Sequence, residues 1–111
     1  MAVKNSLEEV FNAPCDVVMD VLRNPNFATL IDAEFIEEAK TASYLEFRYI
    51  RKTTLTRYGR NFFIRVNQAE SNKTNVTIIT QSRKVTILFD SMWRSEIKHI
   101  SSALNILIQS K

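Results

Sequence analysis

The sequence predicts an α+β fold with one strand, one helix, three or four antiparallel strands and a long C-terminal helix. Two patterns and the chain length lead to this prediction. Apolar and polar residues alternate in several segments bounded by turn residues, and the C-terminal segment carries apolar residues at helical spacing. With 111 residues, of which 45% are hydrophobic, the chain is expected to form a single domain over residues 1–111.

The N-terminal segment predicts a strand followed by a helix. Apolar residues share one parity over residues 3–11, which is typical of a strand with one buried face. Pro14 suits the first turn of a helix, and the apolar residues after it recur at helical spacing. A helix is therefore expected over residues 14–23, ended by Asn24 and Pro25.

The middle of the chain predicts an antiparallel sheet. Residues 44–50, 61–68 and 75–82 alternate apolar and polar side chains, as half-buried strands do. The polar stretch 71–74 predicts a hairpin turn, so the two strands beside it are expected to pair. Residues 27–42 are ambiguous, because their helix propensity is high and, taken alone, favours a helix.

The C-terminal segment contains the clearest helix pattern. Its apolar residues recur at spacings of four, three, four and three, namely Trp93, Ile97, Ile100, Leu104 and Leu107. Asp90 or Ser91 is expected to cap this helix, while Arg94, Glu96 and Lys98 are expected on its solvent side. The apolar stripe then packs on the apolar face of the sheet.

The net charge of +3 is unevenly distributed along the chain. Residues 1–47 hold nine acidic and three basic side chains, whereas residues 48–111 hold three acidic and twelve basic ones. One interpretation is an anion-binding surface, such as a nucleic-acid site on the basic strands of residues 48–65. The favoured interpretation is that the acidic half lies beside the basic half, so nucleic acid is not the expected partner.

Few residues in this sequence could support catalysis or bind a metal ion. A zinc site needs three or four Cys or His ligands, and the chain contains one of each, Cys15 and His99. A single glycine, Gly59, excludes glycine-rich phosphate-binding loops. His99 is expected to be a half-exposed helical residue and Cys15 a packed side chain, with a reactive thiolate of low pKa as the alternative for Cys15. We therefore expect a protein that is not an enzyme and has no cofactor.

Four short motifs resemble one known superfamily. They are F-N-A-P and the apolar residues after it at Phe11–Leu22, Y-G-x-x-x-x-I-x-V at Tyr58–Val66, T-x-V-T-I-x-x-x-S at Thr74–Ser82, and the junction Ile87–Trp93. Together they resemble the START-like, or birch-pollen-allergen-like, helix-grip superfamily, and more closely its short, uncharacterised bacterial members.

This resemblance implies a curved antiparallel sheet that grips the C-terminal helix, in the order β-α-β(4-5)-α. It also shifts the expectation for residues 35–40 from helix to strand. Because the chain is shorter than the larger members of the superfamily, it is expected to lack their extra strands and additional helix. Any pocket is therefore expected to be small.

The resemblance and the helical stripe together predict a non-enzymatic domain that binds a small hydrophobic or amphipathic molecule between the sheet and the C-terminal helix. The expected contacts are Phe47, Tyr49, Phe62, Ile64, Trp93, Ile97, Ile100 and Leu104. The alternative is a protein interaction module, a homodimer, because aromatic residues on both strand parities predict exposed rings on the outer sheet face or at an edge. One cysteine, no signal peptide and no apolar run long enough to span a membrane favour a cytoplasmic protein.

Overall fold

A computed structural model describes residues 4–52, 59–82 and 93–110 of the chain. Its elements in chain order are β1 (Lys4–Phe11), α1 (Cys15–Arg23), α2 (Pro25–Leu30), β2 (Glu34–Lys40), β3 (Leu45–Arg51), β4 (Arg60–Glu70), β5 (Lys73–Ser82) and α3 (Trp93–Gln109). This order confirms the predicted α+β class, and the described residues place four strands between the short helices and the long C-terminal helix. The expected cap at Asp90 or Ser91 lies outside the described residues.

The five strands form one curved antiparallel sheet in the order β1-β5-β4-β3-β2. β4 and β5 form the predicted hairpin, and β1 pairs with β5 from Lys4 opposite Gln81 to Phe11 opposite Thr74. Register shifts in β2 and at the end of β4 mark two bulges. Bulges bend a strand and increase its twist, which helps the sheet to curve.

The ambiguous segment, residues 27–42, contains both a helix and a strand. Asn24 ends α1 and also caps α2, since its side chain accepts a hydrogen bond from the Asn26 N–H at 3.0 Å, and Pro25 occupies the first turn of α2. The helix expected over residues 14–23 is confirmed as α1, whereas α2 is absent from the expected order β-α-β(4-5)-α. The strand expected over residues 35–40 is confirmed as β2.

The turn between α2 and β2 explains why the helix does not continue. Asp32 has a φ of 55°, in the left-handed region that an α-helix cannot accommodate. Beyond it, β2 pairs with β3 along its length. Pairing with β3 outweighs the local helix propensity of Glu-Glu-Ala-Lys, so the helix that local propensity favoured for residues 27–42 was wrong beyond Leu30.

The core lies between the sheet and its helices. We call the sheet side that packs on α1 and α3 the inner face and the opposite side the outer face. The inner face carries Phe47, Phe62, Ile64 and Ile78, which are all fully buried. From α3, Ile97, Ile100 and Leu104 complete the same cluster, as the spacing of the stripe predicts.

Candidate functional site

The eight residues predicted to contact a ligand come together on the inner face. Seven of them belong to the buried core cluster with at most 2% exposure, and the eighth, Trp93, is half-buried and packs against it. The predicted cluster is therefore closed to solvent along its length. A ligand could touch these seven side chains only if the helices that cover the inner face separated from the sheet, so their role as contacts stays a prediction.

Tyr49 connects this core to the end of α1. Its hydroxyl donates a buried hydrogen bond to the Leu22 carbonyl at 2.7 Å, and its ring meets that of Phe27 edge to face at 5.6 Å between centroids. Burial, with a smaller contribution from the negative charge of Glu38, raises the pKa of the Tyr49 hydroxyl well above its usual value. Tyr49 is therefore a neutral donor that holds α1 against the sheet.

A buried ion pair lies at one end of the core and was missed in the sequence. The Glu96 carboxylate accepts a hydrogen bond from Arg51 Nη1 at 2.8 Å, and both side chains are less than one tenth exposed. Arg51 also donates to the carbonyls of Ile31 and Asp32 at 2.7 and 2.9 Å. It thereby joins β3, α3 and the turn after α2.

The expectation that Glu96 lies on the solvent side of α3 was wrong. Glu96 follows Trp93 by three residues and precedes Ile100 by four, so it belongs to the buried stripe. That spacing was visible in the sequence, but an acidic residue was assigned to solvent by its type. Nearby, Arg60 lies opposite Arg51 in the β3–β4 register and is also buried.

An open groove of about 620 Å³ lies at the other end of the inner face. We call it the hairpin groove, because the turn between β2 and β3 forms one of its walls. The residues that line it are Met19, Arg23, Glu38, Lys40, Thr41, Ala42, Ser43, Tyr44, Leu45, Val66, Asn67 and Gln68. None of the eight predicted contacts is among them, so this site was not anticipated residue by residue.

The floor of the hairpin groove continues the buried core. Leu45 lies opposite Val66 in the β3–β4 register, and the next inward-facing pair is Phe47 opposite Ile64. Met19 of α1, which is half-buried, also packs against the core cluster. The groove is therefore the place where the apolar stripe of the inner face reaches the surface.

Charged side chains stand at the rim of the hairpin groove. Arg23 donates two hydrogen bonds to the Glu38 carboxylate, at 2.6 and 3.0 Å, and its guanidinium lies 5.8 Å from the centroid of the Phe47 ring. The hydrogen bond from Arg23 lowers the pKa of Glu38, so this carboxylate is ionised at neutral pH. Lys40 lies opposite Leu45 and so shares the groove side of the sheet.

The β2–β3 turn has a fixed local structure. Thr41 Oγ1 accepts hydrogen bonds from the N–H groups of Ser43 and Tyr44 at 3.2 and 3.1 Å, and the Thr41 N–H donates to the Tyr44 carbonyl at 2.9 Å. A threonine hydroxyl that satisfies backbone groups in this way stabilises a tight turn. The groove wall is therefore held by its own hydrogen bonds.

The outer face bears on the prediction that basic strands bind nucleic acid. Arg48 donates to the carboxylates of both Glu37 and Glu46, and Arg65 donates to Glu46 at 2.8 Å while its guanidinium lies 4.7 Å from the Tyr44 ring centroid. Acidic residues of the first half thus neutralise these basic residues of the second half, as the favoured interpretation predicted. With Arg51 bound to Glu96, the pattern gives the nucleic-acid alternative no support.

The aromatic residues of the outer face are less exposed than the homodimer alternative requires. Tyr44 and Phe63 are both half-buried, so the expected exposed rings are not found at these two positions. Instead, exposed apolar side chains occur on the edge strand β2, where Phe35 and Ile36 are 45% and 53% exposed. Homodimer formation stays a prediction.

The structure also shows the surroundings of Cys15 and His99, the remaining candidate residues. Cys15 is half-buried, and burial followed by the negative charge of Asp16 raises the pKa of its thiol, which contradicts the low-pKa thiolate alternative. His99 is exposed, and its Nε2 lies 2.7 Å from the Leu30 carbonyl at the end of α2. Across residues 4–52, 59–82 and 93–110, no three His, Cys, Asp or Glu side chains are grouped as metal ligands would be.

A smaller, polar cavity of about 330 Å³ lies between β1 and α3, where Ser101 donates a hydrogen bond to the Glu9 carboxylate at 2.7 Å.

Within the described part of the chain, no helix has the length and apolar character needed to cross a membrane.

Comparison with known proteins identifies the fold. No family model and no curated protein matches the chain. Solved structures do match, including norcoclaurine synthase from Thalictrum flavum (TM-score 0.65, 12% identity, covering 99% of this chain and 96% of that one) and Ara h 8.0201 (TM-score 0.63, 10% identity, covering 100% of both). A third is a putative uncharacterised protein from Rhizobium leguminosarum (TM-score 0.58, 11% identity, covering 100% of this chain and 97% of that one). The chain has the helix-grip fold of START-like and birch-pollen-allergen-like proteins, as the sequence motifs predicted.

Proposed function

We propose that this protein binds a small hydrophobic or amphipathic molecule in the hairpin groove. One observation carries the proposal: an open groove of about 620 Å³ exposes the end of the apolar inner face beneath a charged rim. This volume lies within the range of small-molecule sites, which combine an apolar lining with a few polar groups. The proposal relocates the expected ligand from the closed core to the open end of the same stripe.

The neighbouring structures support a role in binding small molecules. Norcoclaurine synthase from Thalictrum flavum has been solved with dopamine and hydroxybenzaldehyde, and it has the same fold at a TM-score of 0.60. Because that neighbour is an enzyme, the fold is compatible with catalysis as well as with binding. We propose binding without catalysis, because Glu38, the carboxylate of the groove lining, is bound by Arg23 and its lowered pKa makes it a weak base.

A matched pair of variants tests the proposal. Ala42 and Ala69 are both exposed alanines, but only Ala42 lines the hairpin groove. Ala42→Trp should fill the groove and weaken ligand binding by about tenfold or more, while Ala69→Trp should leave it unchanged. Wild-type protein and both variants are titrated with straight-chain acids and alcohols and with flat aromatic compounds, followed by amide chemical shifts in two-dimensional NMR spectra.

In the wild type, the shifts should concentrate on α1, the β2–β3 turn and the end of β4. The proposal fails if no compound in the panel shifts these resonances, or if Ala42→Trp and Ala69→Trp weaken binding equally. Shifts centred on Ile97 to Leu104 would instead favour the predicted site between α3 and the sheet.

A further inference from the structure

The charges around the hairpin groove do not cancel. Its lining contains two basic side chains, Arg23 and Lys40, and one acidic side chain, Glu38. Arg23 and Glu38 neutralise each other through the two hydrogen bonds described above. Within the described residues, Lys40 has no carboxylate within ion-pair distance, so its ammonium group is the excess charge of the groove.

The position of Lys40 relates that charge to the apolar floor. Lys40 is paired with Leu45, which lies next to Val66 on the neighbouring strand. A molecule whose apolar part covers Leu45 and Val66 would therefore have its polar end beside the exposed Lys40. On the wall formed by β4, the exposed side chains of Asn67 and Gln68 add amide groups that can donate hydrogen bonds within the groove.

We propose that the hairpin groove selects amphipathic molecules that carry one negative charge, such as a carboxylate, and that Lys40 binds this charge. The inference rests on the proposed function and specifies its ligand class. A carboxylate would complete the charge balance of the groove, whereas a cationic head would meet Lys40 with like charge. A neutral head of the same chain length would keep the apolar contacts but lose the ion pair.

Three ligands of equal chain length isolate the charge: decanoate, decanol and decylammonium. Each is titrated into the wild-type protein, and dissociation constants are measured by calorimetry or NMR at low and at high salt. Decanoate should bind about fourfold more tightly than decanol, the effect expected for one exposed ion pair, and decylammonium should bind most weakly. The preference for decanoate should shrink at high salt, because salt screens exposed charges.

Two lysine variants assign the preference to one residue. Lys40→Gln should bind decanoate and decanol with equal affinity. Lys98→Gln removes an exposed positive charge on α3, outside the groove, and should keep the wild-type preference. Loss of the preference in both variants would show a general effect of net charge and would overturn the assignment to Lys40.

The possible failures are distinguishable. If wild-type protein binds decanoate and decanol equally, and Ala42→Trp weakens both, the proposed function holds and the charge selection is wrong. If wild-type protein binds none of the three ligands and none of the flat aromatic compounds, the proposed function itself fails; if it binds only the aromatic compounds, the charge selection is wrong. Binding to vesicles containing anionic lipids, without binding to monomeric decanoate, would overturn the inference in favour of a membrane surface.

Discussion

At the scale of single residues, Arg51 and Glu96 form an ion pair in which both side chains are buried. Burying two charges costs free energy, and their attraction offsets this cost only when the geometry is good and the remaining hydrogen bonds are made. Arg51 meets this condition, because it donates to Glu96 and to two carbonyls after α2. Its guanidinium also lies 5.1 Å from the centroid of the Phe62 ring.

The ion pair gives a prediction about stability. Arg51→Met removes the hydrogen bond to a buried carboxylate and should lower the free energy of unfolding by about 3 kcal/mol. The double variant Arg51→Met with Glu96→Leu should recover part of this loss, because it also removes the buried carboxylate that had lost the hydrogen bond from Arg51. Urea unfolding of the two single variants and the double variant measures the coupling.

Arg48→Met serves as the control for this prediction. Arg48 is half-exposed on the outer face, and its loss should lower the free energy of unfolding far less than Arg51→Met does, because solvent screens its ion pairs. Equal effects of Arg48→Met and Arg51→Met would contradict the importance assigned to the buried pair.

At the scale of secondary-structure elements, β2, β3 and β4 are held together on the outer face by charges as well as by backbone hydrogen bonds. Glu46 of β3 accepts hydrogen bonds from Arg65 of β4 and from Arg48, and Arg48 also reaches Glu37 of β2. Burial alone would raise the pKa of Glu46, but the hydrogen bonds from Arg65 and Arg48 outweigh it and lower this pKa.

This network predicts how stability depends on pH. The pKa of Glu46 is lower in the folded chain than its usual value of 4.5. The ionised carboxylate therefore contributes its full stabilisation of the fold above pH 4.5. It is lost as the pH falls through the lower, folded-state pKa. Glu46→Gln should therefore be less stable than the wild type at neutral pH and show a smaller loss of stability during acidification. Urea unfolding at a series of acidic pH values measures both effects.

Glu70→Gln provides the comparison, since Glu70 is exposed at the end of β4. The stability of Glu70→Gln should change with pH as that of the wild type does. A Glu46→Gln variant that also follows the wild-type curve would show that the network does not contribute to the acid response.

The same elements show which parts of the structure sequence patterns can predict. Alternation identified β3, β4 and β5 to within two residues at their ends, and helical spacing identified α3, because each has one buried face. Local propensity could not place β2, whose strand state depends on pairing with β3. The superfamily resemblance supplied that information instead.

The candidate site was harder to predict than the fold. Apolar residues such as Phe47 and Ile64 were assigned to the inner face correctly, but a sequence pattern cannot distinguish a filled core from an open pocket. The hairpin groove depends on where α1 stops covering the sheet and on how the turn at Thr41 is closed. Both are consequences of tertiary packing rather than of periodicity.

At the scale of the whole molecule, the packing of α3 on the inner face joins the two ends of the sheet. α3 begins beside the Arg51–Glu96 ion pair and continues to the polar cavity next to β1. Leu104 is fully buried within this interface, whereas Ile106, two residues later, is 62% exposed. Substitutions at these two positions therefore separate the contribution of the interface to the free energy of unfolding from the contribution of the helix itself.

A pair of truncations on α3 tests this organisation. Leu104→Ala should lower the free energy of unfolding by about 3 kcal/mol, because it leaves a cavity between α3 and the sheet. Ile106→Ala should change it by less than about 0.5 kcal/mol, because its side chain is largely in solvent. Chemical unfolding measures both, and similar losses for the two variants would contradict the packing of α3 described above.

The pairing of β1 with β5 determines when the sheet can be completed during translation. Residues 4–11 leave the ribosome before β2 to β5, yet the neighbour to which they are hydrogen-bonded among the described strands is β5, residues 73–82. The consecutive hairpins of β2 to β5 close over short separations and can assemble as they emerge. β1 must wait for β5, so a nascent chain exposes an unsatisfied edge until most of the polypeptide has been made.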